Sequence, residues 1–330
     1  MRLKLAVALG TVYLVWGSTY LAIAVADRSL PPLLMLSVRF LIAGGIMLAW
    51  AAWRGDLRGA LPSRREWGAA AVVGLLLLVI DTGGVALAEQ RVPTGQAALL
   101  IASVPLFTAL LDRTFFGTRL PLGAVAGIAA GLLGVGLLVG TGGRIDPLGT
   151  GVLLLAAFAW AAGSLVARVA PLPRKPFVSA GLQMLCGGVM LGVLGASAGE
   201  VSQVRLGAIS PASLGAVAFL VVFGSIGAFT AFGWLLRHVS IPVLSTYSYV
   251  NPAVAVALGW LVMGEHVGGK EIAAGLVILA SVGFLLFARH PEPAAEPTSE
   301  SLEPYIRGKD AQTKRFRSAP RLAELRRISS

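Results

Sequence analysis

The sequence predicts an all-α integral membrane protein with ten transmembrane helices, arranged as two inverted five-helix repeats. Three observations predict this fold. Hydrophobic residues make up 56% of the 330-residue chain and charged residues only 13%, whereas soluble domains carry about 25% charged residues. Long apolar runs follow one another from Leu5 to Ala288, without the alternating pattern of barrel strands. The second half of the chain also repeats features of the first half in the same order.

Each predicted helix is an apolar run that is bounded by charged residues or by proline and glycine. A bilayer core about 30 Å thick requires roughly 20 apolar residues per helix. The first run is longer than the apolar core of a signal peptide, so we expect it to be a retained helix. The runs of the first half cover residues 5–25, 33–53, 67–88, 94–113 and 120–140, and those of the second half cover 149–168, 177–197, 213–236, 241–263 and 271–288.

The basic residues predict the orientation of the chain. With the amino terminus inside, one side of the membrane carries 12 Lys and Arg residues near the helices and the other carries five. This asymmetry predicts a cytoplasmic membrane protein with both termini in the cytoplasm. The net charge of +11 therefore reflects topology, and we expect no nucleic-acid partner.

The predicted organisation has three parts. A first repeat covers residues 1–140 and a second covers residues 149–288. Residues 289–330 are rich in Pro, Glu and Ser and then in Lys and Arg, which predicts a disordered cytoplasmic tail. Its basic residues could bind the anionic lipids of the inner leaflet, although a solvated tail without a dedicated role is the alternative.

The internal repeat is the most informative pattern. A shift of 144 residues places Trp16 on Trp160, and a shift of 147 residues places Pro105 on Pro252. Each half contains an odd number of predicted crossings, so the second half must enter the membrane from the opposite side. Inverted repeats of this kind can exchange their shapes, which is the usual basis of alternating access around a site near the middle of the membrane.

Four short motifs stand out in this repeat pattern. They are Trp16-Gly17-Ser18 in the first run, Arg39-Phe40 in the second, the stretch 246–252 (TYSYVNP) in the ninth, and Gly264-Glu265 after it. With these motifs, residues 5–288 resemble the EamA-type family of the drug/metabolite transporter superfamily. The resemblance implies a solute path lined mainly by helices one, three, four, six, eight and nine, and export of amino acids, other metabolites or toxic compounds. The first half departs from the family pattern at Gly117-Thr118, where a Gly-Glu pair is common.

Nine residues in the predicted helices are candidates for lining a solute path. A proline inside a helix removes an amide donor and bends the helix, and the carbonyl groups it frees are tolerated beside a cavity. A tryptophan at mid-depth in each half offers a flat apolar wall with one N–H donor. Packing between helices is the open alternative for each of these side chains. The candidates are Trp16, Tyr20, Ser103, Pro105, Trp160, Tyr247, Tyr249, Asn251 and Pro252.

Three charged residues are further candidates. Arg39 and Asp81 lie roughly 10 Å inside the membrane in their predicted helices, and charges at such depth usually pair or line a cavity. We therefore predict that Arg39 and Asp81 face each other as an intramembrane charge pair. A paired Asp81 would carry protons poorly, so Glu89, near the outer end of the third helix, is the candidate for ion coupling. A solvated loop carboxylate is the alternative for Glu89, and uniport stays open.

The sequence contains no pattern for a metal, a cofactor or ATP hydrolysis. The three His residues are 28 and 24 positions apart, Cys186 is the only cysteine, and no P-loop occurs. We predict a secondary transporter, an exporter of small organic metabolites such as amino acids or amphipathic compounds, and no enzyme. A membrane-embedded lipid-modifying enzyme and a non-transporting scaffold or sensor are the alternatives. The predicted partners are the solute and membrane lipids, and the chain is a monomer or a homodimer.

Overall fold

The protein is built from helices throughout the part that the computed structural model describes, residues 2–57, 61–116, 122–140, 146–238, 247–265 and 268–288. No strand occurs in these ranges. The predicted tail, residues 289–330, lies outside them. In chain order the helices are α1 Leu3–Ala26, α2 Pro32–Trp53, α3 Arg64–Glu89, α4 Thr94–Phe115, α5 Leu122–Gly140, α6 Pro147–Val169, α7 Pro176–Ser197, α8 Pro211–Leu235, α9 Tyr247–Leu258 with its π-helical continuation Gly259–Met263, and α10 Gly269–Ala288.

Seven of these helices are long and apolar enough to cross a membrane. They are α1 to α4 and α6 to α8, and they contain between 22 and 26 residues. The apolar stretches of the other three helices are shorter and cover Val125–Gly134, Val250–Met263 and Ile272–Ser281. The predicted all-α membrane fold is confirmed, and the ten described helices are consistent with the predicted count of ten crossings.

Four helices contain a π-helical segment, in which each backbone hydrogen bond reaches one residue further than in an α-helix. The wider turn displaces side chains from the regular faces of the helix. Asp81 of α3 and Ser225 of α8 both lie in such segments, which begin at the equivalent positions 75 and 220 of the two repeats. The four segments are Val12–Trp16, Leu75–Thr82, Leu220–Gly227 and Gly259–Met263.

The two prolines of the repeat have different effects. Helix α4 is interrupted at residues 102–103, immediately before Pro105. At this break the Ser103 hydroxyl donates to the Leu100 carbonyl oxygen over 2.6 Å, so that this acceptor is satisfied inside the protein. Pro252, by contrast, lies within a continuous helix.

Equivalent helices of the two repeats pack against each other, α2 against α7 and α5 against α10. Glycines bring these helices close together. A methyl group on Gly44 would lie 2.9 Å from the Gly181 carbonyl oxygen, and one on Gly134 would lie 3.0 Å from the Ile278 backbone nitrogen. Close backbone approach through small residues is typical of membrane helices. These contacts help to join the two halves, and Met1–Ala288 forms one compact unit.

Two carboxylates of the second repeat cap helices of the first repeat. Glu200, which follows α7, accepts hydrogen bonds from the N–H groups of residues 33 and 34 at 3.2 and 2.8 Å. Glu265, which follows α9, accepts from the N–H groups of residues 94 and 95 at 2.7 and 3.1 Å. A carboxylate in this position satisfies unpaired donors of the first helical turn and complements the helix dipole.

Both capped helices begin at the same end of the bundle. We call it the acidic end, because α1 and α3 also finish there, with Asp27 and Glu89. The opposite end carries an ion pair between Asp56, after α2, and Lys175, before α7, with a distance of 3.0 Å between Nζ and Oδ1. The two ends of the bundle are therefore closed by different contacts.

Candidate functional site

A cavity lies between the two repeats. Its wall is contributed by α1, α2, α3, α4, α6, α8 and α9. The wall contains every helix that the family resemblance implied and adds α2 through Arg39. Six of the nine predicted path residues line it: Trp16, Tyr20, Trp160, Tyr247, Asn251 and Pro252.

An aromatic cluster forms one side of the cavity, with Trp16 at its centre. The indole of Trp16 meets that of Trp160 edge to face, and the ring centres are 5.7 Å apart. Its Nε1 donates to the Gly224 carbonyl oxygen over 3.4 Å. Residues of the second repeat therefore hold this side chain of the first repeat. The other rings around Trp16 belong to Phe229, Phe232 and Tyr247, at 5.6, 5.0 and 5.6 Å.

Asn251 brings a polar group to the same cavity. It lies on α9 next to Pro252, and 7% of its surface is exposed. With the amide turned so that its nitrogen faces acceptors, the Asn251 side chain donates to the backbone carbonyl oxygens of Tyr13 and Tyr247 at 3.1 and 3.2 Å. The amide oxygen of Asn251 is thereby fixed in orientation, because both donors of the amide are already used.

Two charged side chains of opposite sign line the cavity. Arg39 is 3% exposed, and its Nε donates to the Ser225 hydroxyl over 2.9 Å, while its guanidinium lies 4.8 Å from the Phe40 ring centre. Asp81 is 7% exposed, and its Oδ2 accepts from the Thr82 hydroxyl over 3.4 Å. Nη1 of Arg39 and Oδ1 of Asp81 are buried and have no hydrogen-bond partner in the described part of the chain.

These two charges share the cavity without touching. The ion pairs with N···O distances up to 4.0 Å among the described residues do not include Arg39 with Asp81. The predicted charge pair thus has no direct contact in this conformation, and its pairing stays a prediction. The cavity presents one unused donor and one unused acceptor of opposite charge.

The remaining predicted residues lie elsewhere. Ser103 and Pro105 are buried in α4 beside the break, outside the lining of the cavity. Tyr249 is on α9, but its side chain is outside the described part of the chain. Glu89 lines a second cleft at the acidic end, together with Asp27 and other residues.

Sequence reasoning missed three residues that shape these sites. Ser225, which holds Arg39, lies in a π-helical segment, and no sequence pattern announces that geometry. Asp27 directly follows the first apolar run, and Glu200 lies 144 positions after Asp56, which is the shift that relates Trp16 to Trp160. These positions are visible in the sequence and could have identified both residues. No group of three or more His, Cys, Asp or Glu residues able to hold a metal ion occurs within the described ranges.

The chain is similar to known transporters along most of its length. The profile of the EamA-like transporter family matches residues 4–140 and, a second time, residues 147–287. An Escherichia coli (strain K12) protein described as an uncharacterized inner membrane transporter, YedA, is 40% identical over 293 residues, which cover 86% of this chain and 92% of that protein.

More distant relatives agree with this family, and a solved structure has a similar fold. A Salmonella typhimurium protein described as a probable amino-acid metabolite efflux pump is 25% identical, covering 84% of this chain and 92% of its own. A probable terminal-alkyne amino-acid exporter of Streptantibioticus cattleyicolor is 27% identical, with 84% and 94% covered. A crystal structure that covers 88% of this chain and 100% of its own superposes with a TM-score of 0.60, and at 23% identity it speaks for the fold alone. Because the family profile matches both halves and a relative is 40% identical, the chain belongs to the EamA-like transporter family and is a multi-pass membrane transporter, not an enzyme.

Proposed function

We propose that the protein is a secondary exporter of small zwitterionic metabolites, above all amino acids with apolar side chains. It works by alternating access around the cavity between the repeats. One observation carries the proposal: the cavity combines an aromatic cluster with two buried charges of opposite sign that have unused hydrogen-bonding groups. Two relatives are described as amino-acid exporters or efflux pumps, which supports the same solute class.

The unused groups of Arg39 and Asp81 complement the two charges of an amino acid. Nη1 of Arg39 can donate to a carboxylate, and Oδ1 of Asp81 can accept from an ammonium group. Hydrogen bonds to charged groups contribute about 1.5–3 kcal/mol each. A zwitterion neutralises both buried charges at once, whereas a simple anion or cation leaves one of them uncompensated. An apolar side chain of the solute would then contact the indoles of Trp16 and Trp160.

The two repeats supply the conformational change. Helices α2 and α7, and likewise α5 and α10, are equivalent and packed together, so the halves can exchange their shapes around these pairs. With both termini in the cytoplasm, as the basic residues indicate, the acidic end faces outward. The similar inner membrane transporter supports a location in the cytoplasmic membrane.

Exchange of labelled phenylalanine tests this function. The purified full chain is reconstituted into vesicles loaded with unlabelled phenylalanine, and entry of the labelled form is followed. Arg39→Gln and Asp81→Asn should each raise the half-saturating concentration about 10- to 150-fold, which corresponds to the loss of one charged hydrogen bond. Arg54→Gln and Asp112→Asn change the same charges away from the cavity and should leave exchange at the wild-type level.

Two competitors identify which charge recognises which group. Phenethylamine lacks the carboxylate, so it should inhibit the wild type and Arg39→Gln equally. 3-Phenylpropionate lacks the ammonium group, so it should inhibit the wild type and Asp81→Asn equally. If both variants discriminate among the competitors as the wild type does, Arg39 does not recognise the carboxylate and Asp81 does not recognise the ammonium group. Folded protein that exchanges no amino acid would favour a scaffold or sensor.

Two further expectations belong to this proposal. The basic tail, residues 289–330, should bind anionic lipids with about 1 kcal/mol per basic residue. Protease should then cut the tail more slowly in nanodiscs with anionic lipid than in neutral ones. The mass of the protein in a nanodisc distinguishes a monomer from a homodimer.

A further inference from the structure

The cleft at the acidic end holds two carboxyl groups that solute recognition does not use. Asp27 follows α1 and Glu89 ends α3, and both line the cleft. All four of their carboxylate oxygens are shielded from solvent and lack a hydrogen-bond partner within the described ranges. Buried polar atoms without any partner are rare in native structures. Such unpartnered carboxylate oxygens indicate that the cleft binds a proton or a positively charged group.

The basic residues around the cleft are engaged elsewhere. Arg28, next to Asp27, donates to the Met263 sulfur over 2.9 Å. Arg91, close to Glu89 in the chain, forms an ion pair with Asp146 at 3.2 Å. Neither arginine forms an ion pair with Asp27 or Glu89 within 4.0 Å.

The other charged groups that face this pair are acidic. Glu200 acts electrostatically on Asp27, and Glu89 is acted on by both Asp27 and Glu265. Glu200 and Glu265 accept hydrogen bonds from backbone N–H groups of α2 and α4. The first turns of α2, α4 and α8 carry no charged side chain. Asp27 and Glu89 therefore lie in a field of like charge.

A proton is the simplest group that reduces the electrostatic repulsion between Asp27 and Glu89. Two carboxylates buried near each other without a cation repel, and one of them takes up a proton to remain buried. Burial, together with the negative charge of Glu200, raises the pKa of Asp27 to about 8. A carboxyl group with such a pKa binds and releases protons near neutral pH.

Tyr20 connects the cleft with the central cavity. It lines the cavity and interacts electrostatically with both Asp81 and Glu89. Tyr20 precedes Asp27 by seven residues and Asp81 precedes Glu89 by eight, which is about two helical turns or 10–12 Å in each case. The faces of α1 and α3 that meet the solute thus continue to the acidic end.

We propose that Asp27 and Glu89 form a proton-binding site and that proton uptake at this site drives solute export. The inference rests on the proposed export function and adds the driving ion to it. In the binding step, one carboxylate takes a proton from a hydronium ion, which yields a carboxylic acid and a water molecule, and the other carboxylate keeps its charge. After the repeats exchange shapes, the proton leaves through the cavity by way of Tyr20 and Asp81.

The transport test compares exchange with uphill movement. Vesicles containing the full chain receive labelled phenylalanine with and without a pH gradient, and the wild type should accumulate it against its own gradient only with the pH gradient. Asp27→Asn and Glu89→Gln each remove one titrating carboxyl group and should lower the gradient-driven transport about tenfold. This is the factor by which the proton occupancy of a site changes when its pKa changes by one unit. Exchange without a gradient should stay at the wild-type level in both variants.

Control variants address folding and the chemistry of the group. Asp27→Glu and Glu89→Asp keep a carboxyl group and should retain gradient-driven transport. Asp112→Asn removes a carboxyl group from α4 and should change neither measurement. In detergent solution, a difference titration of wild type against Asp27→Asn should show one fewer group titrating around pH 8.

The outcomes separate the two proposals. The proton site would be overturned, and export left intact, if phenylalanine transport did not depend on the pH gradient. The same conclusion would follow if Asp27→Asn and Glu89→Gln responded to the gradient as the wild type does. A sodium gradient that replaces the pH gradient as the driving force would also overturn it. Vesicles without any exchange would refute export instead, and the difference titration would then decide alone whether Asp27 binds the proton.

Discussion

Gly44→Ala should destabilise the protein, whereas Gly45→Ala, one position further along the same helix, should not. A methyl group on Gly44 would lie 2.9 Å from the Gly181 carbonyl oxygen and 3.1 Å from both the Leu185 backbone nitrogen and the Met184 Cβ atom. Non-bonded carbon atoms prefer about 3.5–4.0 Å, and backbone atoms of a packed helix cannot turn aside as a flexible side chain can. Helices α2 and α7 would have to separate.

The magnitude follows from two opposing terms. Replacing a glycine by alanine inside a helix favours folding by about 0.5–1 kcal/mol, and this term is the same at both positions. A methyl group on Gly45 meets nothing within 4 Å, so Gly45→Ala shows the favourable term alone. At Gly44 the clash adds about 1–3 kcal/mol against folding. The difference between the two variants therefore measures the clash.

Thermal unfolding in detergent, followed by tryptophan fluorescence, provides the assay. One kcal/mol shifts the Tm of a domain of 150–250 residues by about 2–4 °C, so Gly44→Ala should melt at least a few degrees below Gly45→Ala. Equal melting temperatures would refute the reasoning, because the two repeats would then not approach each other through Gly44.

Three further outcomes are expected. Trp16→Phe keeps a ring but loses the N–H that bonds Gly224, so it should weaken phenylalanine exchange less than Trp16→Leu, and equal effects would contradict an aromatic wall for the solute. Because the pKa of Asp27 is raised from 3.8 to about 8 in the folded protein, its contribution to stability is fully present below about pH 4 and is lost as the pH rises through about 8. The Tm of the wild type should accordingly fall between about pH 4 and about pH 8 and level off above that range, and Asp27→Asn should reduce this fall. Glu265→Gln should cost about 1–3 kcal/mol of stability because it weakens two hydrogen bonds to backbone N–H groups. Lys175→Gln should cost less than about 1 kcal/mol because the Lys175 side chain is 60% exposed. A larger drop in Tm for Lys175→Gln than for Glu265→Gln would contradict this ranking.

The features of the fold that depend on the length and number of the apolar runs were predictable from the sequence. Apolar runs of membrane length indicate helices, and an odd number of runs per repeat indicates inversion. The equivalence of Trp16 and Trp160 also had a structural consequence, since their rings are in contact at one side of the cavity, with centres 5.7 Å apart. Residues at equivalent positions of inverted repeats can meet in this way because the repeats share an axis near the centre of the membrane.

The details that depend on helix rotation were not predictable. The sequence placed Arg39 and Asp81 at similar depth, but Arg39 bonds Ser225, which a π-helical segment of α8 presents. Pro105 and Ser103 were expected to line the solute path, yet both lie outside the lining of the cavity, and the Ser103 hydroxyl donates to its own helix backbone. A proline indicates where a helix bends, but packing against neighbouring helices decides which face of that helix turns towards the cavity.

The different closures at the two ends of the bundle lead to a last prediction. Asp56 and Glu200 are related by the same shift of 144 that relates the two tryptophans, but in this conformation Glu200 caps the first turn of α2 while Asp56 pairs with the side chain of Lys175. If the repeats exchange shapes, Glu200 must release the N–H groups of residues 33 and 34. Asp56 must then take up the equivalent N–H groups of residues 177 and 178.

Hydrogen–deuterium exchange can detect this trade. Glu200→Gln weakens the closure of the acidic end and should shift the population towards the opposite state. The amides of residues 33 and 34 should then exchange faster, and those of residues 177 and 178 should exchange more slowly. Faster exchange at both places would mean that the variant only loosens the protein, because two states that swap the roles of the repeats require opposite changes at equivalent positions.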